Sequence, residues 1–166
     1  MKDVGLTVTE KIFDNILQIG IVVACVDETV ERYRRVLGFE DWHYNIVDSE
    51  AGRGENFKTH GRPIRRKTKI AWIKLGNVEL ELLEPQDEDS DHARFLREHG
   101  PGIHHVMFAT RDYDGTLQHM LAQGYEVASE GEIQGGRFHV FDTLADLGLL
   151  CEIAEAETLE PDYPAE

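Results

Sequence analysis

The chain has 166 residues, a length that suits one domain of ordinary size or two small halves that share a core. Its 17 basic and 32 acidic residues give a formal net charge of −15, which argues against a broad basic surface for nucleic-acid backbones. Apolar residues make up 41% of the chain, a proportion that excludes wholesale disorder.

The first predicted elements are a strand, a helix and a pair of strands. Residues 16–26 are apolar and rich in β-branched side chains, which predicts a strand too short to cross a bilayer. The next segment predicts an amphipathic helix with Asp27 as its N-cap and Gly38 just past its end. Residues 69–75 and 77–83 then predict two strands joined by a turn at Gly76.

The same order of elements returns after a short linker helix. Residues 90–100 predict this helix, with Ser90 as its N-cap and Gly100 as its stop. Residues 103–125 predict another strand and a helix, and residues 137–142 and 149–154 predict two further strands. The two halves are therefore interpreted as an internal repeat.

With two or three strands after the helix of each half, this repeat predicts two βαβββ modules within a single domain over residues 14–155. Module one spans residues 14–84 and module two spans residues 102–155. The expected fold class is α+β, with a curved mixed sheet around a cavity and helices on the outer faces. Residues 1–13 are interpreted as an N-terminal extension and residues 156–166 as an acidic, solvated tail.

Polar residues interrupt the predicted strands at equivalent positions of the two modules. The first strands contain Gln18 and His105, and the last strands contain Glu81 and Glu152. Because strand residues alternate between two faces and a mid-strand carboxylate is costly to bury alone, these side chains are expected to converge. An amide, an imidazole and two carboxylates form a metal-ligand set that suits Zn, Ni, Co or Mn.

The alternative for each of these residues taken singly is a structural role. A single Glu in an apolar strand often lies at an exposed edge, and Glu79 is interpreted in this way. His104 has the opposite parity to His105 and is expected to bond outside the site. The remaining histidines, at residues 43, 60, 92, 99, 119 and 139, lie in predicted loops or on helix faces and are not expected to be ligands. Of these, His139 could approach the cavity.

Several segments resemble the vicinal-oxygen-chelate superfamily, which includes glyoxalase I, methylmalonyl-CoA epimerase, extradiol dioxygenases and bleomycin-resistance proteins. The segments are GIHHVMFAT in module two and the ELLEP ending of module one, and the likeness extends over about residues 14–155. LGNVELELLEP followed by FLREHGPGIHHV is most similar to methylmalonyl-CoA epimerase. The ligand set instead resembles that of zinc-type glyoxalase I: Gln18, Glu81, His105 and Glu152.

The resemblance implies that a divalent metal ion assists proton transfer at a carbon next to a carbonyl group. Glu152 is the expected base, with Glu81 as its counterpart in the other module, and both are also expected metal ligands. Ring-cleaving dioxygenase chemistry is not expected, because Gln18 replaces the first His of the two-His-one-carboxylate set.

A glycine- and charge-rich segment, residues 48–68, predicts a long loop over the mouth of the cavity. Its basic residues are either a solvated charge run or a cationic rim that attracts an anionic substrate, with Arg65 and Arg66 as substrate contacts. Arg137 is a further candidate anion contact. In the epimerases that the chain resembles, a second catalytic Glu falls near the position of Arg65, where this chain has no acid.

The leading hypothesis is a metal-dependent isomerase or lyase for a small anionic or thioester substrate, similar to methylmalonyl-CoA epimerase or lactoylglutathione lyase. The alternative is a metal-free small-molecule binding or resistance protein, in which two inward carboxylates would have no role. No nucleic-acid or membrane partner is expected, and the resemblance implies a homodimer. Cys25 and Cys151 lie in apolar runs, which predicts reduced core thiols in a cytoplasmic protein.

Overall fold

A computed structural model describes residues 11–156 and contains one mixed sheet with short helices packed around it. The strands are β1 (Phe13–Val22), β2 (His43–Asp48), β3 (Glu55–Thr59), β4 (Arg62–Pro63), β5 (Lys67–Leu75), β6 (Val78–Pro85), β7 (Gly102–Thr110), β8 (Val127–Ile133), β9 (Gly136–Phe141) and β10 (Leu150–Ala154). The helices are α1 (Val26–Leu37), α2 (Asp91–His99), α3 (Tyr113–Ala122) and α4 (Leu144–Leu147). Most of the predicted N-terminal extension and acidic tail lies outside the described residues.

The strand order, β2-β5-β6-β1-β7-β10-β9-β8-β3-β4, joins the two predicted modules through their first strands. β1 and β7 pair antiparallel at the centre of the sheet. β6 pairs parallel to β1, and β10 pairs parallel to β7, so the last strand of each module lies beside its first strand. The predicted α+β fold is confirmed, and the four strands that carry the predicted ligands are neighbours.

The linker helix α2 begins and ends where the sequence predicts. The Ser90 hydroxyl accepts a hydrogen bond from the Ala93 amide, and the Gly100 amide donates to the Leu96 carbonyl. The predicted start of α1 is wrong by two residues, because Cys25 occupies the N-cap without a side-chain cap bond. Asp27 lies instead in the first turn, where a carboxylate is favourable to the helix dipole.

The prediction of a long loop over residues 48–68 is wrong. After a 3-10 helix at residues 49–51, this segment forms the β3–β4 hairpin, and β3 pairs with β8 of module two. Alternate residues of β3, Phe57 and Thr59, are buried, but the charged residues between and around them obscure that alternation in the sequence. The Phe57 ring packs against Gly131 so closely that a methyl group there would overlap it. The segment therefore connects the outer strand of module one to the outer edge of module two.

The two cysteines differ in burial, and both are free thiols. Cys151 is buried in the sheet core as predicted, whereas Cys25 is only partly buried at the start of α1. Among residues 11–156, none of the helices combines the length and the apolar character that a bilayer span requires.

Candidate active site

The four side chains predicted as metal ligands line one cavity and converge on a single ring nitrogen. His105 Nε2 lies 2.7 Å from Glu152 Oε2, 3.8 Å from Glu81 Oε2 and 3.4 Å from Gln18 Oε1. All four side chains are almost fully buried. The convergence follows from the topology, because β6, β1, β7 and β10 are consecutive in the sheet and each contributes one of these residues.

The charges at this point favour a bound cation. Burial raises the pKa of Glu81 to about 8; His105 opposes this rise, whereas Glu152 and Glu79 add to it. Burial lowers the pKa of His105, but the neighbouring carboxylates, Glu152 first and then Glu81 and Asp91, together outweigh burial, so the net shift is upward. Crowded carboxylates together with an imidazole and an amide oxygen form a donor set for divalent cations of the zinc type, so the residues present fit such an ion.

Glu79, which the sequence places at an exposed edge, is buried beside the predicted ligands. Its exposed fraction is 2%, and the Gln18 side-chain amide donates a 2.7 Å hydrogen bond to Glu79 Oε1. The interpretation as an edge residue is wrong because β6 is an inner strand, flanked by β5 and β1. Strand parity was the available signal, since residues 79 and 81 share one face of β6.

A cluster of buried histidines extends the site toward helix α2. His104 contacts Asp91 outside the ligand set, with its Nε2 3.1 Å from Asp91 Oδ2. It also contacts a member of that set, which was not predicted, because its Nδ1 lies 3.1 Å from His105 Nδ1. His92 is also buried, and its ring centroid lies 4.5 Å from that of His104. Ring nitrogens of His92, His104 and His105 all lie within 4.8 Å of one another.

His92 lines the cavity, a position that was not predicted from the sequence. Burial lowers the pKa of His92 well below its usual value, against the opposing influence of Asp91. Its Nδ1 lies 3.2 Å from the Arg66 guanidinium. An arginine only donates hydrogen bonds, so this nitrogen is the acceptor of the neutral ring. The available sequence signal was weak, because a His in the first turn of a helix is usually exposed.

Arg66 brings a buried positive charge to the same cavity. Its guanidinium donates to the Thr68 hydroxyl at 3.2 Å and lies about equally far from the Phe57 and Phe138 rings, with centroid distances of 5.4 and 5.3 Å. Only 5% of the residue is exposed, and its charge favours the ionised forms of Glu81 and Asp91, although among residues 11–156 no carboxylate lies close enough to form an ion pair with it. A buried cation without a carboxylate partner is suited to bind an anionic group of a ligand.

The other two predicted anion contacts have different environments. The Arg65 side chain is 82% exposed and pairs with Glu50 at 2.7 Å, so it does not line the cavity. Arg137 does line the cavity, but it also pairs with Glu155 at 2.6 Å and with Asp114 at 3.1 Å. Roles for these two arginines in substrate binding stay predictions.

The cavity itself is small, about 60 Å³, and its wall is divided by chemistry. The apolar part of the wall comes from both modules and includes Leu83, Met107, Phe138 and Val140. His139 lies between the last two and does not line the cavity; its Nδ1 contacts the Tyr113 hydroxyl at 2.6 Å instead. Within the described residues, the acids that line the cavity are Glu81 and Glu152.

Comparisons with known proteins agree on one family. Residues 17–141 match the sequence model of the Glyoxalase/Bleomycin resistance protein/Dioxygenase superfamily. The ethylmalonyl-CoA/methylmalonyl-CoA epimerase of Cereibacter sphaeroides is 27% identical over 115 residues, which cover 69% of this chain and 74% of that protein.

Solved structures of methylmalonyl-CoA epimerases are similar over most of this chain. One, in complex with methylmalonyl-CoA and ammonium, is 30% identical to this chain with a TM-score of 0.63. The matched region covers 86% of this chain and 94% of the epimerase chain. A variant of the Streptomyces coelicolor enzyme in complex with 2-nitronate-propionyl-CoA is also 30% identical with a TM-score of 0.63, and covers 86% of this chain and 96% of its own.

Proposed function

The chain belongs to the glyoxalase/bleomycin resistance protein/dioxygenase superfamily, and from that membership we propose that it is a divalent-metal-dependent epimerase of a 2-carboxyacyl-CoA thioester. Its relatives include methylmalonyl-CoA epimerases, and two of the solved structures to which it is similar contain methylmalonyl-CoA and 2-nitronate-propionyl-CoA. The observation that carries the proposal is the convergence of Gln18, Glu81 and Glu152 on His105 Nε2 within one buried cavity.

The proposed reaction transfers a proton at the carbon between two carbonyl groups. Gln18, Glu81, His105 and Glu152 would hold the divalent ion, whose chemistry is Lewis-acid stabilisation of the negative charge that develops as the proton leaves. Glu152 is the proposed base, and Glu81 is its counterpart. These carboxylates belong to β10 and β6, which lie on opposite sides of the β1–β7 pair. This arrangement supports the proposal that the two carboxylates would act on the substrate from two sides.

Arg66 is the proposed partner of the substrate's anionic group. Arg66 lines the same cavity as the ligand set, and within residues 11–156 its guanidinium is not held in an ion pair with a carboxylate. The cavity, at about 60 Å³, is far smaller than CoA, so most atoms of a CoA thioester would have to lie at or beyond the mouth. Arg65 and Arg137 are proposed to attract or contact the anionic substrate at or near that mouth.

The test is deuterium exchange into (2R)- and (2S)-methylmalonyl-CoA, followed by NMR in D₂O with zinc-loaded protein. The proposal predicts exchange and interconversion of the two epimers. It also predicts that Glu152→Gln lowers the exchange rate by roughly 100-fold or more, the usual contribution of a positioned base. Absence of exchange with either epimer would overturn the assignment.

A lactoylglutathione lyase-type isomerisation is the second candidate. It is favoured by the ligand set and by the lack of an acidic residue at sequence positions 62–68, the region in which the resembled epimerases carry a second catalytic Glu. The same zinc-loaded protein would be assayed with the hemithioacetal of methylglyoxal and glutathione. Turnover of the hemithioacetal without exchange of either methylmalonyl-CoA epimer would select this candidate. In both proposals the protein acts as a homodimer in the cytoplasm.

A further inference from the structure

Two of the four proposed ligands are neutral, and each can present the wrong atom to a metal ion. The Gln18 amide has an oxygen that can bind a cation and an NH₂ group that cannot. The His105 ring has two nitrogens, of which only the one without a proton can bind. The orientation of each group therefore has to be determined by what lies on its far side.

Glu79 lies on the far side of the Gln18 amide. A carboxylate only accepts hydrogen bonds, so the 2.7 Å contact assigns the NH₂ group of Gln18 to the Glu79 side. The amide oxygen is then directed toward His105 Nε2, from which it lies 3.4 Å. Glu79 is 2% exposed, so water does not compete for this contact.

Asp91 and His104 lie on the far side of the His105 ring. Asp91 Oδ2 is 3.1 Å from His104 Nε2. Both Asp91 oxygens are buried, and among residues 11–156 no other group donates a hydrogen bond to either of them. A carboxylate facing this nitrogen makes it the protonated one, so the neutral His104 ring accepts through Nδ1. His105 Nδ1, 3.1 Å away, must then donate. Its Nε2, which lies 2.7 Å from Glu152 Oε2, is then the nitrogen whose proton a bound metal ion would replace.

We propose that Glu79 and Asp91 form an outer pair of buried carboxylates that orient the two neutral ligands, Glu79 by holding the Gln18 amide and Asp91 by setting the ring tautomers of His104 and His105. Both are positioning residues that act through another side chain. The inference rests on the proposed function, because it assumes a divalent ion at His105 Nε2. It also assigns His104 and His105 to a hydrogen-bonded pair, and His92 to its contact with the Arg66 guanidinium, in place of a second metal site at the three histidines.

The first experiment is a competitive Zn²⁺ titration of the metal-free protein and three variants. Asp91→Asn and Glu79→Gln each remove one negative charge from the outer pair without changing side-chain size. Glu130→Gln, the matched control, removes one negative charge from the ion pair between Lys58 of β3 and Glu130 of β8. We expect each outer-pair variant to bind Zn²⁺ about 10- to 100-fold more weakly, the usual cost of losing such a partner, and the control to bind unchanged.

A simple loss of negative charge near the ion must be separated from a loss of orientation. Glu79→Gln is therefore repeated in a Gln18→Ala background, where there is no amide to orient. Its effect on Zn²⁺ affinity should largely disappear there; an effect of the same size in both backgrounds would overturn the role of Glu79.

The role of Asp91 is tested in the unmutated protein by two-bond ¹H–¹⁵N NMR of labelled histidines. We expect a proton on Nε2 of His104 and, with Zn²⁺ bound, a proton on Nδ1 of His105, with mixed tautomers in Asp91→Asn. A proton on Nδ1 of His104, or Zn²⁺ bound to His104 itself, would overturn the inference. Unmutated protein that binds no Zn²⁺ would defeat the proposed function as well, whereas binding that the Asp91 and Glu79 variants leave unchanged would defeat this inference alone.

Discussion

Arg65 and Arg66 are consecutive in the chain but lie in opposite environments. The Arg65 side chain is 82% exposed and pairs with Glu50, whereas Arg66 is 5% exposed and lines the cavity between two phenylalanine rings. Consecutive residues of an extended segment point to opposite sides, so only one of the pair can face the interior. The two arginines are therefore separable by single substitutions.

Arg66→Gln is expected to raise the KM for a carboxylate-bearing thioester by about 10-fold or more, because a charged hydrogen bond contributes roughly 1.5–3 kcal/mol. Arg65→Gln removes the same charge at an exposed position and is expected to raise KM by much less. The measurement is steady-state kinetics of both variants at low and moderate salt. Equal effects of the two substitutions would contradict a buried anion contact.

Gly20 provides the space that His105 occupies. The two residues pair across the β1–β7 ladder, and a methyl group on Gly20 would overlap the His105 ring. Gly20→Ala is therefore expected to displace the ring, to lower the free energy of unfolding by about 1–3 kcal/mol and to weaken Zn²⁺ binding. Denaturant titration and Zn²⁺ titration measure the two effects.

The control is Gly102→Ala on the neighbouring strand β7, where an added methyl group would make only ordinary contacts with the Phe95 ring. It is expected to leave Zn²⁺ binding unchanged. If Gly20→Ala also left it unchanged, the tight packing would have no role in positioning His105.

The pKa of Glu81, raised to about 8 mainly by burial, predicts a pH-dependent stability of the metal-free protein. A carboxyl group whose pKa is higher in the folded chain than in the unfolded chain stabilises the fold most when it is protonated. Its contribution is full below the usual pKa of 4.5 and is lost as the pH rises through about 8. Relative to Glu81→Gln, which mimics the protonated form, the unmutated protein should lose a few kcal/mol over this range, since one pKa unit corresponds to about 1.4 kcal/mol.

Thermal unfolding of both proteins in chelator, from acidic to alkaline pH, checks this prediction. The difference in Tm should grow with pH and should shrink when Zn²⁺ is added to the unmutated protein. Parallel Tm profiles across the whole range would contradict the assigned burial of an ionisable Glu81.

The two thiols are expected to react at different rates. Burial raises the pKa of the Cys151 thiol to about 12, so little thiolate is present at pH 8, while Cys25 is partly exposed. Alkylation of the native protein followed by peptide mapping should label Cys25 first and Cys151 only after denaturation. Equal labelling rates in the native state would contradict the burial of Cys151 in strand β10.

The internal repeat made much of the fold predictable. Each module begins with an apolar strand and a capped helix, and these local signals depend only on nearby residues, so the α+β class and the linker helix are confirmed. Strand parity likewise selected Gln18, His105, Glu81 and Glu152, which the structure brings around one nitrogen. Whether these side chains bind a metal and act on a substrate stays a proposal.

Other parts of the site depended on contacts between distant segments. Glu79 has the same parity as Glu81, but its burial is decided by β1 and β5 on either side of its strand. The β3 strand looked like a loop because its pairing partner, β8, lies about 70 residues later in the chain. His92 belongs to a helix face that is buried only because α2 packs against β1, β6 and β7.

The sequence by itself determined the α+β class, the linker helix and the strand faces that carry the polar residues of the cavity, because these follow from local periodicity and capping. It did not predict β2, β3, β4 or β8. Only the tertiary structure decided which strand is an inner one, which of two adjacent arginines is buried, and which carboxylates stand behind Gln18 and His105. The physical reason is that burial and hydrogen-bond partners depend on neighbours far apart in the chain. No local pattern of residues encodes those neighbours.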